Sequence, residues 1–191
     1  METIILASGS PRRRELLSRV GIPFEVYVPD VEETTSLPAD TAVEELCRRK
    51  AIAAFRVYSD RYVLAADTLV SLDGRALGKP ADEAEAAEML RSLSGRTHQV
   101  HTGVTVISPF GNIVTEADHS SVTFCDIPPE EIASYVASGE PLDKAGAYAI
   151  QGRASLWITR LEGSDTSVVG LPLYLVRRLL LLSGYPLSFA P

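Results

Sequence analysis

The sequence predicts an α/β protein built on one mixed sheet. Three observations predict it. Strand-like and helix-like stretches are mixed along the whole chain, as they are when helices pack on a single sheet. A short apolar run, residues 3–7, leads into a Ser10-Pro11 helix start, the pattern of a buried strand feeding a helix. Two long strand-like stretches flank Pro109-Phe110-Gly111-Asn112, which reads as a hairpin and adds antiparallel pairing.

The elements follow in order. Residues 3–7 form the first strand. The first helix is expected over 11–20, with Ser10 as cap and Pro11 at its first position. A strand over 24–28 precedes a helix over 41–58, where Thr41 and Glu44 have the spacing of a capping box. Strands over 62–66 and 69–72 follow. Asp82 caps a helix over 82–93; Ala86, Met89, Leu90 and Leu93 recur at helical spacing, and Gly95 stops it. The hairpin strands occupy 98–107 and 113–124. A helix over 129–138 buries Ile132, Tyr135 and Val136 and ends at Gly139. A strand over 154–159 and a helix over 172–183 complete the list.

Bulk properties narrow the function. The chain has 191 residues, 46% hydrophobic and 23% charged, which suits one soluble globular domain over 1–191, with room for two lobes. A net charge of −7 argues against general nucleic-acid binding. No stretch is long enough to span a membrane, and the start Met1-Glu2-Thr3 lacks the basic segment of a secretory leader. Cys47 and Cys125 are isolated, without metal-type spacing, and read as reduced thiols. A cytoplasmic protein is expected.

Several residues fit a bland fold poorly. Arg12, Arg13 and Arg14 occupy the first turn of the first helix, where the dipole disfavours cations by roughly 0.3–1 kcal/mol each. Such a turn is either a solvated basic surface or a site for an anion such as phosphate. Lys50 shares its helix face with Val43, Leu46, Cys47 and Ala54, so it must snorkel out or meet an anion. Asp67 follows an apolar strand, 62–66, at the edge where ligands of α/β sheets collect; it reads as a metal ligand, a proton acceptor or a turn aspartate. Glu32 and Glu33 form a carboxylate run, either solvated or suited to magnesium. Lys79 is held in a Gly78-Lys79-Pro80 turn, placed to neutralise a phosphate. His98 and His101 read as structural or polar edge residues. The small-residue loop 143–152 lets backbone approach a ligand, and Gln151 offers both a donor and an acceptor to a nucleobase edge. Cations together with carboxylates are what metal-assisted attack on a phosphate ester requires. No Walker-type glycine loop or G-x-S-x-G elbow is present.

At these residues the sequence resembles the Maf family of nucleoside triphosphate pyrophosphatases. The matching blocks run in order: Leu6-Ala7-Ser8-Gly9-Ser10-Pro11-Arg12-Arg13, Glu32-Glu33, Lys50-Ala51, Ala66-Asp67-Thr68, Gly78-Lys79-Pro80, Ser94-Gly95-Arg96-Thr97-His98, Asp143-Lys144-Ala145-Gly146-Ala147-Tyr148 through Gln151-Gly152, and Val168-Val169-Gly170-Leu171-Pro172. The resemblance implies a single elongated domain, inosine-triphosphatase-like, with a mixed, curved sheet and two lobes around a cleft. It implies hydrolysis of dTTP and UTP, and of modified pyrimidine nucleotides, to monophosphate and pyrophosphate with a divalent metal (Mg2+, Mn2+ or Co2+), by a homodimer. Asp67 would accept the proton of water. Glu33 would assist, the two sharing the metal. Ser8, Arg13, Lys50 and Lys79 would hold phosphates, and Arg12, Thr68 and Gln151 would set specificity. The alternatives are a pyrophosphatase for modified purine nucleotides such as 7-methyl-GTP, and a non-catalytic nucleotide-binding regulator of cell division. Two positions depart from the family pattern: Ala149, where glycine is usual, and Asp165, where an aromatic follows Gly-Ser. A carboxylate would repel a triphosphate, so the loop bearing Asp165 is expected to stay off the phosphates.

Overall fold

A computed structural model describes residues 1–188. Seven strands form one sheet: β1 (Ile4–Leu6), β2 (Phe24–Val26), β3 (Val63–Leu72), β4 (Arg75–Leu77), β5 (Thr97–Ile107), β6 (Ile113–Phe124) and β7 (Ile158–Glu162). Their order is β2-β1-β3-β5-β6-β7, with β4 paired to β3. β2, β1 and β3 run parallel; β3, β5, β6 and β7 pair antiparallel, as does β4 with β3. The sheet is mixed, as the hairpin predicts.

The helices are α1 (Pro11–Arg19), α2 (Ala39–Phe55), α3 (Glu83–Leu93), α4 (Pro129–Ala137), α5 (Asp165–Val169) and α6 (Leu173–Leu182). Near β1, α1 and α6 bury Leu16, Leu17, Leu175 and Leu179 against Leu6, Leu64 and Val104. On the opposite face, α2 sets Ala51 and Ala54 on Ile5, Val63 and Ala65. A further core gathers α3, α4 and the far ends of β3, β5 and β6 around Phe124, Leu90 and Tyr135.

Some elements differ from the expectation. The strands expected over 62–66 and 69–72 are one strand, β3, because Asp67 and Thr68 pair across with Gly103 and Thr102. Their polar side chains interrupt the apolar run without turning the chain. β4 is an added strand, joined to β3 by Asp73-Gly74 with both φ values positive, a two-residue hairpin signal. The stretch 153–157 is a 3-10 turn, so the strand expected over 154–159 becomes β7, Ile158–Glu162. α2 begins two residues early on Pro38, and Thr41 makes no capping box; its N–H donates to Asp40 Oδ1 instead. Ser10 stands at the start of α1, yet its hydroxyl caps nothing. Asp82 does cap α3, accepting from the Glu85 N–H at 2.8 Å.

Gly103 decides how α2 meets the sheet. A Cβ there would overlap the backbone carbonyl of Val43 on α2. The missing side chain lets the helix backbone approach β5 directly opposite Asp67 in the register. Backbone cannot swing aside as a long side chain can. Gly103→Ala is therefore expected to destabilise the fold by about 3 kcal/mol, the upper end for overpacking, read as a fall in the urea midpoint.

His98 is buried beside Tyr148, with Nε2 2.8 Å from the phenol oxygen. Burial lowers its pKa to about 4. The unfolded chain takes up this proton near pH 6.5, whereas the folded chain does not until about 4. Stability is thus complete above pH 6.5 and falls as pH drops from 6.5 towards 4. Denaturant midpoints across that window are expected to decline in the wild type and to decline less in His98→Gln.

Candidate active site

On one edge of β3, β1 ends at Leu6 and covers only the start of the strand, while β4 covers only its end. Between them, residues 66–69 of β3 have no strand along that edge. A cleft of about 590 Å³ opens there. Successive side chains of a strand point to opposite faces. Because the cleft wraps an open edge, Asp67 and its neighbour Thr68 nevertheless both line it. Asp67 is therefore not at a strand's carboxyl end, as expected from sequence; it lies mid-strand, past the end of the parallel neighbour β1.

The structure brings all nine candidate residues to this cleft: Ser8, Arg12, Arg13, Glu33, Lys50, Asp67, Thr68, Lys79 and Gln151. Lys50 meets anions rather than snorkelling. Its Nζ donates to Asp67 Oδ1 at 2.5 Å and lies 2.9 Å from Glu33 Oε1. Lys50 and Asp67 are buried, 7% exposed each, while Glu33 is more open. Partial burial raises the Glu33 carboxyl, but the hydrogen bond and charge of Lys50, with Lys79 and Arg13 beyond, outweigh it and hold it below the ordinary range.

Arg13 leaves the first turn of α1 and ties three elements together. Nε donates to the Gly170 carbonyl at 2.8 Å, and the terminal nitrogens reach Ser8 Oγ at 3.0 Å and Thr68 Oγ1 at 3.2 Å. Burial lowers its pKa from the ordinary value, and the charge of Asp67 opposes that. Ser8 Oγ also accepts the Ser10 N–H at 3.3 Å, fixing the loop into α1. Lys79 is exposed at the rim and makes no ion pair among the described residues. Its turn is tied across the cleft by the Gly146 N–H, which donates to the Gly78 carbonyl at 3.0 Å. Arg12 lies 4.0 Å from Asp143 of the facing loop.

Both departures from the family pattern have a place. Ala149 lines the cleft, and its N–H donates to Tyr135 Oη at 3.2 Å. Asp165 is exposed at the start of α5 and lies outside the cleft lining; the cleft meets that helix only at its other end, through Val168, Val169 and Gly170. His98 and His101 are not in the lining either. Sequence reasoning missed Gly103, whose mid-strand position was its only signal, and the Asp143 contact with Arg12, which has none.

Lys50 engages one oxygen of each carboxylate, leaving Asp67 Oδ2 and Glu33 Oε2 outside that contact. Hard carboxylate oxygens, one or two of them beside substrate phosphates, are the donors magnesium takes. The pair fits that role. Among the described residues no cluster of three or more His, Cys, Asp or Glu would hold an ion unaided.

Cleft and sheet together define an α/β protein with a cationic groove around a lysine–carboxylate cluster, suited to a small polyanion. Residues 3–182 match the family described as Maf-like protein, and the chain belongs to that family. It is 52% identical over 183 residues, 94% of this chain and 95% of the relative, to a protein of Bacillus cereus (strain AH820) named dTTP/UTP pyrophosphatase. A protein of the same name from Bacillus mycoides (strain KBAB4) is 53% identical over 183 residues, with the same two coverages. The solved Ham1 protein of Staphylococcus aureus shares the fold, with a TM-score of 0.50, 20% identity, and coverage of 65% of this chain and 73% of that one.

Lys50→Met leaves Asp67 as a buried charge without its partner. That change is expected to cost about 3–5 kcal/mol in urea unfolding. Asp67→Asn keeps an acceptor for Lys50 and leaves Glu33 in place, so its cost is expected to be clearly smaller.

Proposed function

We propose that this chain hydrolyses dTTP and UTP to the nucleoside monophosphate and pyrophosphate. The observation that carries the reading is a buried carboxylate, Asp67, held by a lysine inside a groove whose other charged groups are mostly cations. The relatives named for this reaction, matched over nearly their full length, support the choice of substrate.

In this reading the triphosphate lies across the start of α1. Arg13 and Lys79 offset its charge, Lys50, whose own charge is met by Asp67 and Glu33, donates its remaining N–H to a phosphate oxygen, and Ser8 donates another hydrogen bond. These groups are held before the ligand arrives, so little reorganisation is needed as charge builds on the phosphate oxygens. Asp67 takes the proton of a water as its oxygen bonds to the α-phosphorus. The bond from that phosphorus to the oxygen bridging to the β-phosphate breaks, and pyrophosphate leaves with the electron pair. Glu33 shares Lys50 with Asp67 and so fixes the lysine between them. A divalent cation (Mg2+, Mn2+ or Co2+) would be held by Glu33 and Asp67, and when bound it neutralises phosphate charge and acidifies water. Arg12, Thr68 and Gln151 select base and sugar. Homodimeric assembly, on the family resemblance, and cytoplasmic location, on the free thiols of Cys47 and Cys125, belong to the same proposal.

Pyrophosphate release from a panel of nucleoside triphosphates, with each metal present, tests the reading. Selective release from dTTP and UTP is expected. Faster release from purine nucleotides, or binding without turnover, would overturn it and favour the purine or regulatory alternative. Asp67→Asn is expected to lower kcat by about 10²–10⁴, the scale of general-base catalysis, with the melting temperature nearly kept. Undiminished turnover would remove Asp67 from the mechanism.

A further inference from the structure

We propose that Tyr135 and Glu140 are positioning residues for base selection, holding the 149–152 turn and with it Gln151 at the rim of the cleft. The proposal rests on the reading of the cleft as a pyrimidine-nucleotide site. Neither residue lines the cleft.

Tyr135 projects from α4 and is 2% exposed. Its ring packs edge-on against Trp157, with centroids 5.1 Å apart, and the Trp157 Nε1–H donates to Glu131 at 2.7 Å. The ring is thereby fixed, and its hydroxyl is a fixed point. That hydroxyl accepts the Ala149 N–H at 3.2 Å and donates to Glu140 Oε1 at 3.0 Å. The Glu140 carboxylate in turn lies against Gly152, where a Cβ would overlap Oε1. The Gly152 N–H returns to the Ala149 carbonyl at 3.0 Å and closes the turn around Ile150 and Gln151. Both ends of the turn are thus held by one hydroxyl–carboxylate pair: Ala149 through its amide, Gly152 through its bare Cα. Lys144 locks the carboxylate's own segment, donating to the Glu140 carbonyl at 2.7 Å and to Asp143 at 2.5 Å. Burial raises the Tyr135 phenol pKa, so the hydroxyl keeps the proton it donates.

A base edge is read by a side-chain amide only when donor and acceptor both align. A turn free to move blurs that alignment and weakens discrimination without touching the reacting groups. Tyr135→Phe keeps the ring and removes the hydroxyl. Steady-state kinetics on UTP and CTP are expected to show the UTP-over-CTP ratio of kcat/KM falling about tenfold, the scale of one lost hydrogen bond. The fall should lie in KM for UTP, with kcat within twofold. Glu140→Gln retains an acceptor and is expected to keep the ratio within twofold, whereas Glu140→Ala should follow Tyr135→Phe. Amide exchange at Ala149 should quicken in Tyr135→Phe. An unchanged ratio, or an equal loss on both nucleotides as a merely structural defect would give, overturns the proposal. A wild type that does not prefer UTP overturns the reading of the site itself, and the positioning role with it.

Discussion

The contact of Lys50 with Asp67 and Glu33 is the constraint that the surrounding structure serves. Taking charges out of water is costly unless each finds a partner, and one ammonium between two carboxylates meets that condition only at close range. Close range requires α2 to sit almost on the sheet. Gly103 allows it, by giving the Val43 carbonyl the space a side chain would fill. Lys50 then follows Val43 by seven residues, on the same face of the helix. Asp67 must also be reachable from the cleft, and the shortness of β1 and β4 leaves that stretch of β3 with one open edge, opposite the edge paired to β5. A glycine, two short strands and a lysine in an apolar stripe are separate oddities in the sequence. In the structure they serve one contact.

The charges of the molecule are distributed to the same end. A chain of net charge −7 carries its cleft cations on different elements: Arg12 and Arg13 at the start of α1, Lys50 on α2, Lys79 on the turn after β4 and Lys144 on the facing loop. Arginines in the first turn of a helix oppose its dipole. Arg13 is compensated by Gly170, Ser8 and Thr68, which fix its guanidinium while it faces the cleft. The cation is therefore placed by neutral acceptors rather than by carboxylates. A carboxylate partner would have cancelled the field a phosphate needs; a carbonyl and two hydroxyls leave most of it in place.

Much of this was legible in the sequence, and what was not has a physical cause. Helices with strong periodicity and caps, such as α3, stand where Asp82 and Gly95 put them. Local signals failed where a residue's partner lies far along the chain. Asp67-Thr68 broke an apolar run and looked like a strand end, because nothing nearby shows that Gly103 and Thr102 pair with it. The Asp73-Gly74 hairpin carried a readable signal that β4, only three residues long, did not reinforce. Lys50 was recognisable as out of place, yet whether it snorkelled or met an anion depended on Asp67, which lies on a different element. The candidate residues are legible as types; their convergence on one open strand edge is a property of the register. Tyr135 looked like a core residue and is one, and its hydroxyl's second task is invisible in a helical repeat.

The two walls of the cleft are built differently, and that difference bears on what each can do. The wall that carries Arg13, Lys50 and Asp67 comes from β1, α1, α2 and β3, whose backbones are fixed by sheet pairing and by two cores on opposite faces. Groups that must stabilise developing charge gain from such rigidity, since a preorganised site needs no reorganisation during the reaction. The facing wall is a run of 3-10 turns from 140 to 157, held by a few specific bonds: Gly146 to Gly78, Lys144 to Glu140, Ala149 to Tyr135. Short turns held by side chains can be reshaped by single substitutions without disturbing a sheet. Chemistry and recognition are therefore mechanically separable here. On the proposed reading, changes behind the turns would alter which base is accepted, while the triphosphate would still meet the same cations and the same carboxylate.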